Sequence, residues 1–192
     1  MKKDKELARR LSRICCSTFF LLLFSFCTTG NAFASDRRVE EYAVKAAFVL
    51  NFARYTQWSA ECFDSPTEPF RLCVLGNKAI EPAFQALNEK KIGSRTLHVR
   101  FITMAKDTGQ CHILFISEDI DRTTLLETLA AVRDKPVLTI GETKAFINSG
   151  GVINLFNRKG RLYFEINKTA ARQQRLKLSS RLLKLAIIVG DK

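Results

Sequence analysis

Six cysteines and two histidines are the side chains whose spacing decides what covalent or metal chemistry this sequence could carry. Cys15, Cys16 and Cys27 lie near the N-terminus, and Cys62, Cys73 and Cys111 lie further on. None of the later three has a second Cys or His at metal-ligand spacing, so a zinc site is not expected. His112 directly follows Cys111, an order that suggests an acid–base pair. Consecutive strand residues point to opposite faces, however, so a structural histidine is the better reading. His98 is the other histidine, on the outward side of an alternating stretch. No nucleophile elbow, Walker loop, metal triad or paired-carboxylate pattern occurs. Gly76-Asn77-Lys78 lacks the glycine spacing with which backbone amides surround a phosphate. The sequence is therefore read as non-enzymatic, with no cofactor and no metal, and its one accessible chemistry is that of thiols and disulfides.

Whether thiols can pair depends on compartment, and residues 1–34 address that. A basic start (Lys2, Lys3, Lys5, Arg9, Arg10, Arg13) precedes an apolar run from Ile14 to Cys27 and then Ala32-Phe33-Ala34. That order is a secretory signal with a small-x-small site, and cleavage is expected after Ala34. The apolar run is about fourteen residues, short of the roughly twenty needed to span a bilayer. Phe26 stands where a lipoprotein signal at Cys27 would need a small residue. The expected mature domain is 35–192, exported to the periplasm, with no stable membrane insertion after cleavage. Removing the six basic and two acidic residues of the signal from totals of 31 and 19 leaves a net charge of +8. An exported protein seldom meets nucleic acid, so the basic surface is read as facing the anionic membrane or an acidic protein partner.

Three cysteines in an oxidising compartment imply one pair and one leftover thiol, and three pairings are open. Cys73 with Cys111 is favoured because each opens an apolar run that reads as a buried strand, whereas Cys62 lies in a polar loop. A bridge closing about 38 residues would stabilise by roughly 3 to 4 kcal/mol in the chain-entropy model.

The elements that must hold these residues follow from hydrophobic period. An amphipathic helix is expected over Arg37 to Tyr55, capped by Asp36, with Val39, Tyr42, Ala43, Ala46, Ala47, Leu50 and Ala53 buried. Trp58 reads as an anchor for the loop after it. Next come strand Leu72 to Leu75, a helix from Glu81-Pro82, and strand Thr96 to Thr103. Strand Cys111 to Ile116 leads to helix Arg122 to Val132, strand Pro136 to Ile140, and a short helix over Lys144 to Asn148. This alternation predicts one α/β domain, a mixed and largely parallel sheet with helices on both faces. Gly151 to Phe156 and Arg161 to Asn167 flank Asn157-Arg158-Lys159-Gly160 and predict a C-terminal antiparallel hairpin at a sheet edge. Asn167 would cap a helix over Lys168 to Gln174. Ser179 would cap a last helix that buries Leu182, Leu183, Leu185, Ala186 and Val189. From Arg158 to Lys184 there are nine Lys/Arg against one acid, Glu165, which suggests an electrostatic landing surface.

Several stretches taken together resemble the YfiR family. They are Val44-Lys45-Ala46-Ala47-Phe48, Asn51-Phe52-Ala53 with Trp58, Cys73-Val74-Leu75-Gly76, and Cys111-His112-Ile113-Leu114-Phe115-Ile116. Val137-Leu138-Thr139-Ile140, Phe146 with Gly150-Gly151-Val152-Ile153, Phe164-Glu165-Ile166-Asn167, and Leu178-Ser179-Ser180 with Leu182-Leu183 complete the set, in the right order through most of the mature chain. The resemblance implies a periplasmic α/β protein, often a homodimer, that binds the periplasmic part of an inner-membrane diguanylate cyclase and holds it inactive. Cyclic-di-GMP output, and with it biofilm formation, would rise on release. It also implies that Cys73 and Cys111 are bonded and tie repression to redox state. No cysteine follows Cys111, so a second family bridge has no counterpart here. Partner contact is expected at Glu165, Asn167, Lys168 and Ala171, with the basic surface contributing Arg172 and Arg175. The alternative is a small-ligand-binding module with its pocket between the first helix and the strand ends, reporting to a sensor or transporter.

Overall fold

Helix α1 runs Gly30–Arg54 and leads the chain onto a sheet whose central strands are apolar on both faces. The structure is a computed structural model that describes residues 30–190, with side chains from residue 38 onward. The expected signal, apart from the helical backbone of 30–34, therefore lies outside the described residues. The chain divides into one unit ending at Glu40 and a second beginning at Glu41, and the elements below belong to the second. Because α1 begins at Gly30, Asp36 lies within it and does not cap it. Its buried side is Tyr42, Lys45, Ala46, Val49, Leu50, Phe52 and Ala53. Val39, Ala43 and Ala47, expected on that side, are exposed.

Eight strands form the main sheet. They are β2 (Phe70–Leu75), β3 (Lys91–Ile92), β4 (Arg95–Ile102), β5 (Ile113–Ile116), β6 (Leu138–Gly141), β7 (Ile153–Arg158), β8 (Arg161–Asn167) and β10 (Ile187–Val189). Their order is β10-β8-β7-β6-β5-β2-β4-β3. From β7 through β6, β5 and β2 to β4, all neighbours are parallel. The β7–β8 hairpin and the β3–β4 pair are antiparallel, and β10 lies parallel to β8. Two short strands, β1 (Thr56–Gln57) and β9 (Lys177–Leu178), pair separately. The expected mixed, largely parallel α/β sheet is thus the fold.

Alternation along the strands sends side chains into two cores. Leu72, Val74, Ile113, Phe115, Leu138, Ile140, Phe164 and Ile166 meet α1 and Phe84 of α2 (Glu81–Gln85). Cys73, Leu75, Leu114 and Ile116 meet Leu125, Leu129 and Val132 of α3 (Arg122–Val132), a helix whose Asp121 side chain accepts from the amides of Thr123 and Thr124. Helices cover both faces because the strands present two apolar sides.

Four local expectations change. Residues 143–150 form turns and no helix. There Phe146 slides its ring between Gly141 and Gly151, where a Cβ would sit 2.2 and 2.1 Å from ring atoms. The hairpin loop is two residues, Lys159 and Gly160, with φ of 53° and 74°, the left-handed pair of a type I′ turn. Strand β8 is not the sheet edge, since β10 lies beyond it. The last helix, α5 (Ser180–Leu185), is capped by Ser179 as expected but ends early. It buries Leu182, leaves Leu185 77% exposed, and gives way to β10.

Candidate functional site

The Cys73–Cys111 disulfide joins the middle of β2 to the residue that ends a 3-10 helix over Ala105–Gln110, with Cα atoms 5.8 Å apart. Cys111 thus precedes β5 and does not open it. Both cysteines are buried in the α3-side core, and Cys62 is free and half-buried. The amide of Arg71 donates to Nδ1 of His112 at 3.1 Å, which places the ring proton on Nε2, 3.1 Å from the carbonyl of Cys62. The ring stacks on Phe63, with centroids 4.6 Å apart. Burial holds the imidazole below its ordinary range, although the bond to Cys62 opposes this. His112 is a satisfied structural residue. Trp58 is the expected anchor, donating from Nε1 to the carbonyl of Pro136 at 2.8 Å and packing against Phe70.

The carboxyl ends of the parallel strands are where a sheet of this type holds a small ligand. Chain order reverses between β2 and β5, which makes that crevice the natural place to look. Here α1 fills it. Lys45 donates to Glu142 and also pairs with Glu41 at 2.7 Å. Tyr42 donates to the other oxygen of Glu142 at 2.7 Å and lies 3.2 Å from Ser117 Oγ. The amide of Glu118 completes that carboxylate at 2.9 Å. Burial pulls the Lys45 ammonium down, and the bonds to Glu142 and Glu41 outweigh it and hold it above its ordinary range. Burial raises the Tyr42 phenol, with the Glu142 carboxylate adding to the effect. The polar groups converge, but on one another. Among the described residues, no group of three or more His, Cys, Asp or Glu could hold a metal ion.

Two strands away from β6, on β8 and the helix after it, the six expected contact residues separate by role. Glu165 is half-buried and accepts from Asn154 Nδ2 at 3.0 Å. Asn167 accepts from the amide of Ala170 at 2.9 Å, the cap of α4 (Lys168–Gln173), so its side chain is committed to the fold. Ala171 is 3% exposed and packs in the α1-side core, which corrects its expected place on a contact surface. Lys168 is half-buried. Arg172 and Arg175 are exposed, the first near Thr169 Oγ1 at 3.3 Å and the second donating to the carbonyl of Asp134 at 3.1 Å. Arg175 has φ 56° and closes α4 in the left-handed conformation usually left to glycine.

Sequence reasoning missed the apolar residues beside these. Tyr163, Leu185, Ile187 and Ile188 are exposed, and Phe156 stacks on Tyr163 with centroids 6.0 Å apart. The signal was present in Leu182-Leu183-Lys184-Leu185-Ala186-Ile187-Ile188-Val189, since one side of a short helix cannot bury so many consecutive apolar residues. Among the described residues, no helix is long and apolar enough to cross a membrane.

A family model described as YfiR/HmsC-like, DUF4154, matches residues 42–187. A search of the curated proteins gives no match. Among solved structures, a conserved domain protein from Vibrio cholerae O1 biovar El Tor superposes with a TM-score of 0.44 at 13% identity, covering 62% of this chain. The chain spans about half of that protein, 54% of its length. Agreement at that level carries no functional argument.

Proposed function

The chain belongs to the YfiR/HmsC-like family of periplasmic regulators of diguanylate cyclase signalling, and from this we propose that it binds the periplasmic sensor part of an inner-membrane diguanylate cyclase and lowers its cyclic-di-GMP output. The segment 1–34 directs export and is removed after Ala34. No covalent step is involved. The folded domain binds one conformation of the receptor and shifts its population by no more than its differential affinity for the two states. The Cys73–Cys111 bond links this to redox state, because the reduced chain loses a constraint on its unfolded ensemble and less folded regulator is present.

One observation carries this reading over small-ligand capture, namely that the polar groups converging at the ends of β5 and β6 bond to one another. Tyr42, Lys45, Ser117 and Glu142 satisfy one another there, so a solute would have to displace buried bonds to bind. Recognition is left to the surface away from those bonds, and half-buried Glu165 and Lys168 with exposed Arg172 and Arg175 are proposed to take part. Deleting the gene and measuring cyclic-di-GMP while the cyclase is expressed tests the proposal. Output should rise and return to its former level on complementation. An unchanged level removes the regulatory reading and puts ligand binding in its place.

A further inference from the structure

The outer edge of β8 is covered over less than half its length. Its neighbour β10 faces Glu165, Ile166 and Asn167, whereas β8 begins at Arg161. The chain takes up that line at Ile187, after α5 and its extended cap residue Ala186, so Arg161 to Phe164 have β7 on one side and no paired strand on the other. The hairpin fixes which backbone groups point outward. A two-residue type I′ turn makes Arg158 and Arg161 a hydrogen-bonded pair, and alternation then turns the amide and carbonyl of Leu162 away from β7. Among the described residues, no backbone bond outside the ladders takes them up.

Two cavities flank this open stretch. One, of about 670 Å³, is lined by Phe156, Arg158, Arg161, Tyr163 and Ile187. The other, of about 340 Å³, is lined by Phe48, Phe52, Phe164 and Leu182, together with Arg181. Leu185 lines both. Tyr163 and Phe164 are consecutive on β8, so the cavities open on opposite faces of the sheet. A strand laid along this edge would send alternate side chains into the two. One cavity offers guanidinium groups around aromatic rings, and the other is mostly aromatic and aliphatic.

We propose that this half-covered edge is a strand-addition site, and that its occupant is an extended segment of the cyclase's periplasmic part in which acidic residues alternate with apolar ones. The proposal rests on the regulatory reading above. Charge selects the occupant, because Arg158, Lys159 and Arg161 border the edge and the stretch through Lys184 holds nine basic residues to one acid. Pairing of two copies of this chain along the same edge would bring like charges together, which is unfavourable.

Site-specific photocrosslinking in cells tests it. Benzoylphenylalanine is placed at position 163 or 185 of the full chain, and at position 127 on the exposed side of α3 as a control. Irradiation should couple positions 163 and 185, but not 127, to an alternating acidic and apolar stretch of the cyclase. Arg158→Glu with Arg161→Glu should cut the yield by about tenfold while leaving the thermal midpoint as in the parent. Crosslinks between copies of the chain, crosslinks to a basic or helical stretch, an unchanged yield in the charge-reversed protein, or no crosslink would each overturn the proposal. If gene deletion still raises cyclic-di-GMP in those cases, the edge is wrong and the regulatory reading stands. If deletion changes nothing, that reading fails whatever the crosslinks show.

Discussion

Lys45 and Glu142 meet across the carboxyl end of the sheet, one carried by α1 and the other by the residue after β6, with side chains 6% and 3% exposed. A buried pair of this kind adds little net stability, but breaking it leaves an uncompensated charge. Lys45→Met should therefore destabilise by about 3 to 5 kcal/mol. The double change Lys45→Met with Glu142→Gln should cost less than Lys45→Met alone, since an amide still accepts from Tyr42 without a buried charge. Denaturant unfolding of both variants checks this, and a double variant no better than the single one would contradict it.

The disulfide makes a separate prediction. Closing 38 residues constrains the unfolded chain by about 4 kcal/mol in the chain-entropy model. Cys73→Ser with Cys111→Ser should lower stability by that order, reduce the protein recovered from the periplasm, and so raise cyclic-di-GMP. Non-reducing peptide mapping of the parent should show Cys73 joined to Cys111 and Cys62 unbridged. A bridge containing Cys62 as the main species would refute the assignment.

His112 gives a pH dependence whose sign follows from its environment. Burial lowers its folded value below the ordinary 6.5, so the unfolded chain takes up the proton first as pH falls. The contribution is fully present above 6.5 and is lost on acidification through the folded value. The thermal midpoint should therefore fall between pH 7.5 and 5. His112→Gln should be less stable at pH 7.5, having lost the Phe63 stack, and should decline less steeply. Parallel midpoint curves for the two proteins would show that His112 does not set the slope.

How much of this could be read in advance depended on whether the deciding force was local. Helix α3 matched its expected span of Arg122 to Val132, because Asp121 and the apolar period both act within the segment. The cap residues Asn167 and Ser179 were legible for the same reason. Lys45 was not, since a lysine on the buried side of α1 is tolerable only beside Glu142, 97 residues away. Phe146 has a helical neighbourhood by sequence, yet its ring fits between two glycines and the chain turns to allow it. Strand β10 was missed because Ile187 to Val189 extends an apolar run already spent on α5, and the edge of β8 draws it into the sheet.

Reversing Arg172 and Arg175 to Glu should slow association with the receptor and flatten its salt dependence, because exposed charges act over about 8 to 10 Å at physiological salt. Glutamate carries a Cβ as arginine does, so at the left-handed position 175 the exchange alters charge without adding new backbone strain. Stopped-flow or surface-binding rates at low and high salt give the comparison. An on-rate unchanged at low salt would reduce the basic run to a solubility feature.

Glu165 separates contact from stability, provided two substitutions are compared. Its carboxylate accepts from Asn154, whose own Oδ1 is buried and finds no partner, so that amide depends on Glu165. Glu165→Lys removes the acceptor and reverses the charge together, and alone it cannot tell a lost contact from a weakened hairpin. Glu165→Gln keeps an oxygen for Asn154 and removes only the charge. If Glu165 meets the receptor, both variants should raise cyclic-di-GMP. Glu165→Gln should then keep the parent's thermal midpoint, and Glu165→Lys should lose about 1 to 3 kcal/mol for the stranded amide. Full repression by a stable, normally abundant Glu165→Gln would place the contact elsewhere and leave Glu165 the structural task of holding Asn154.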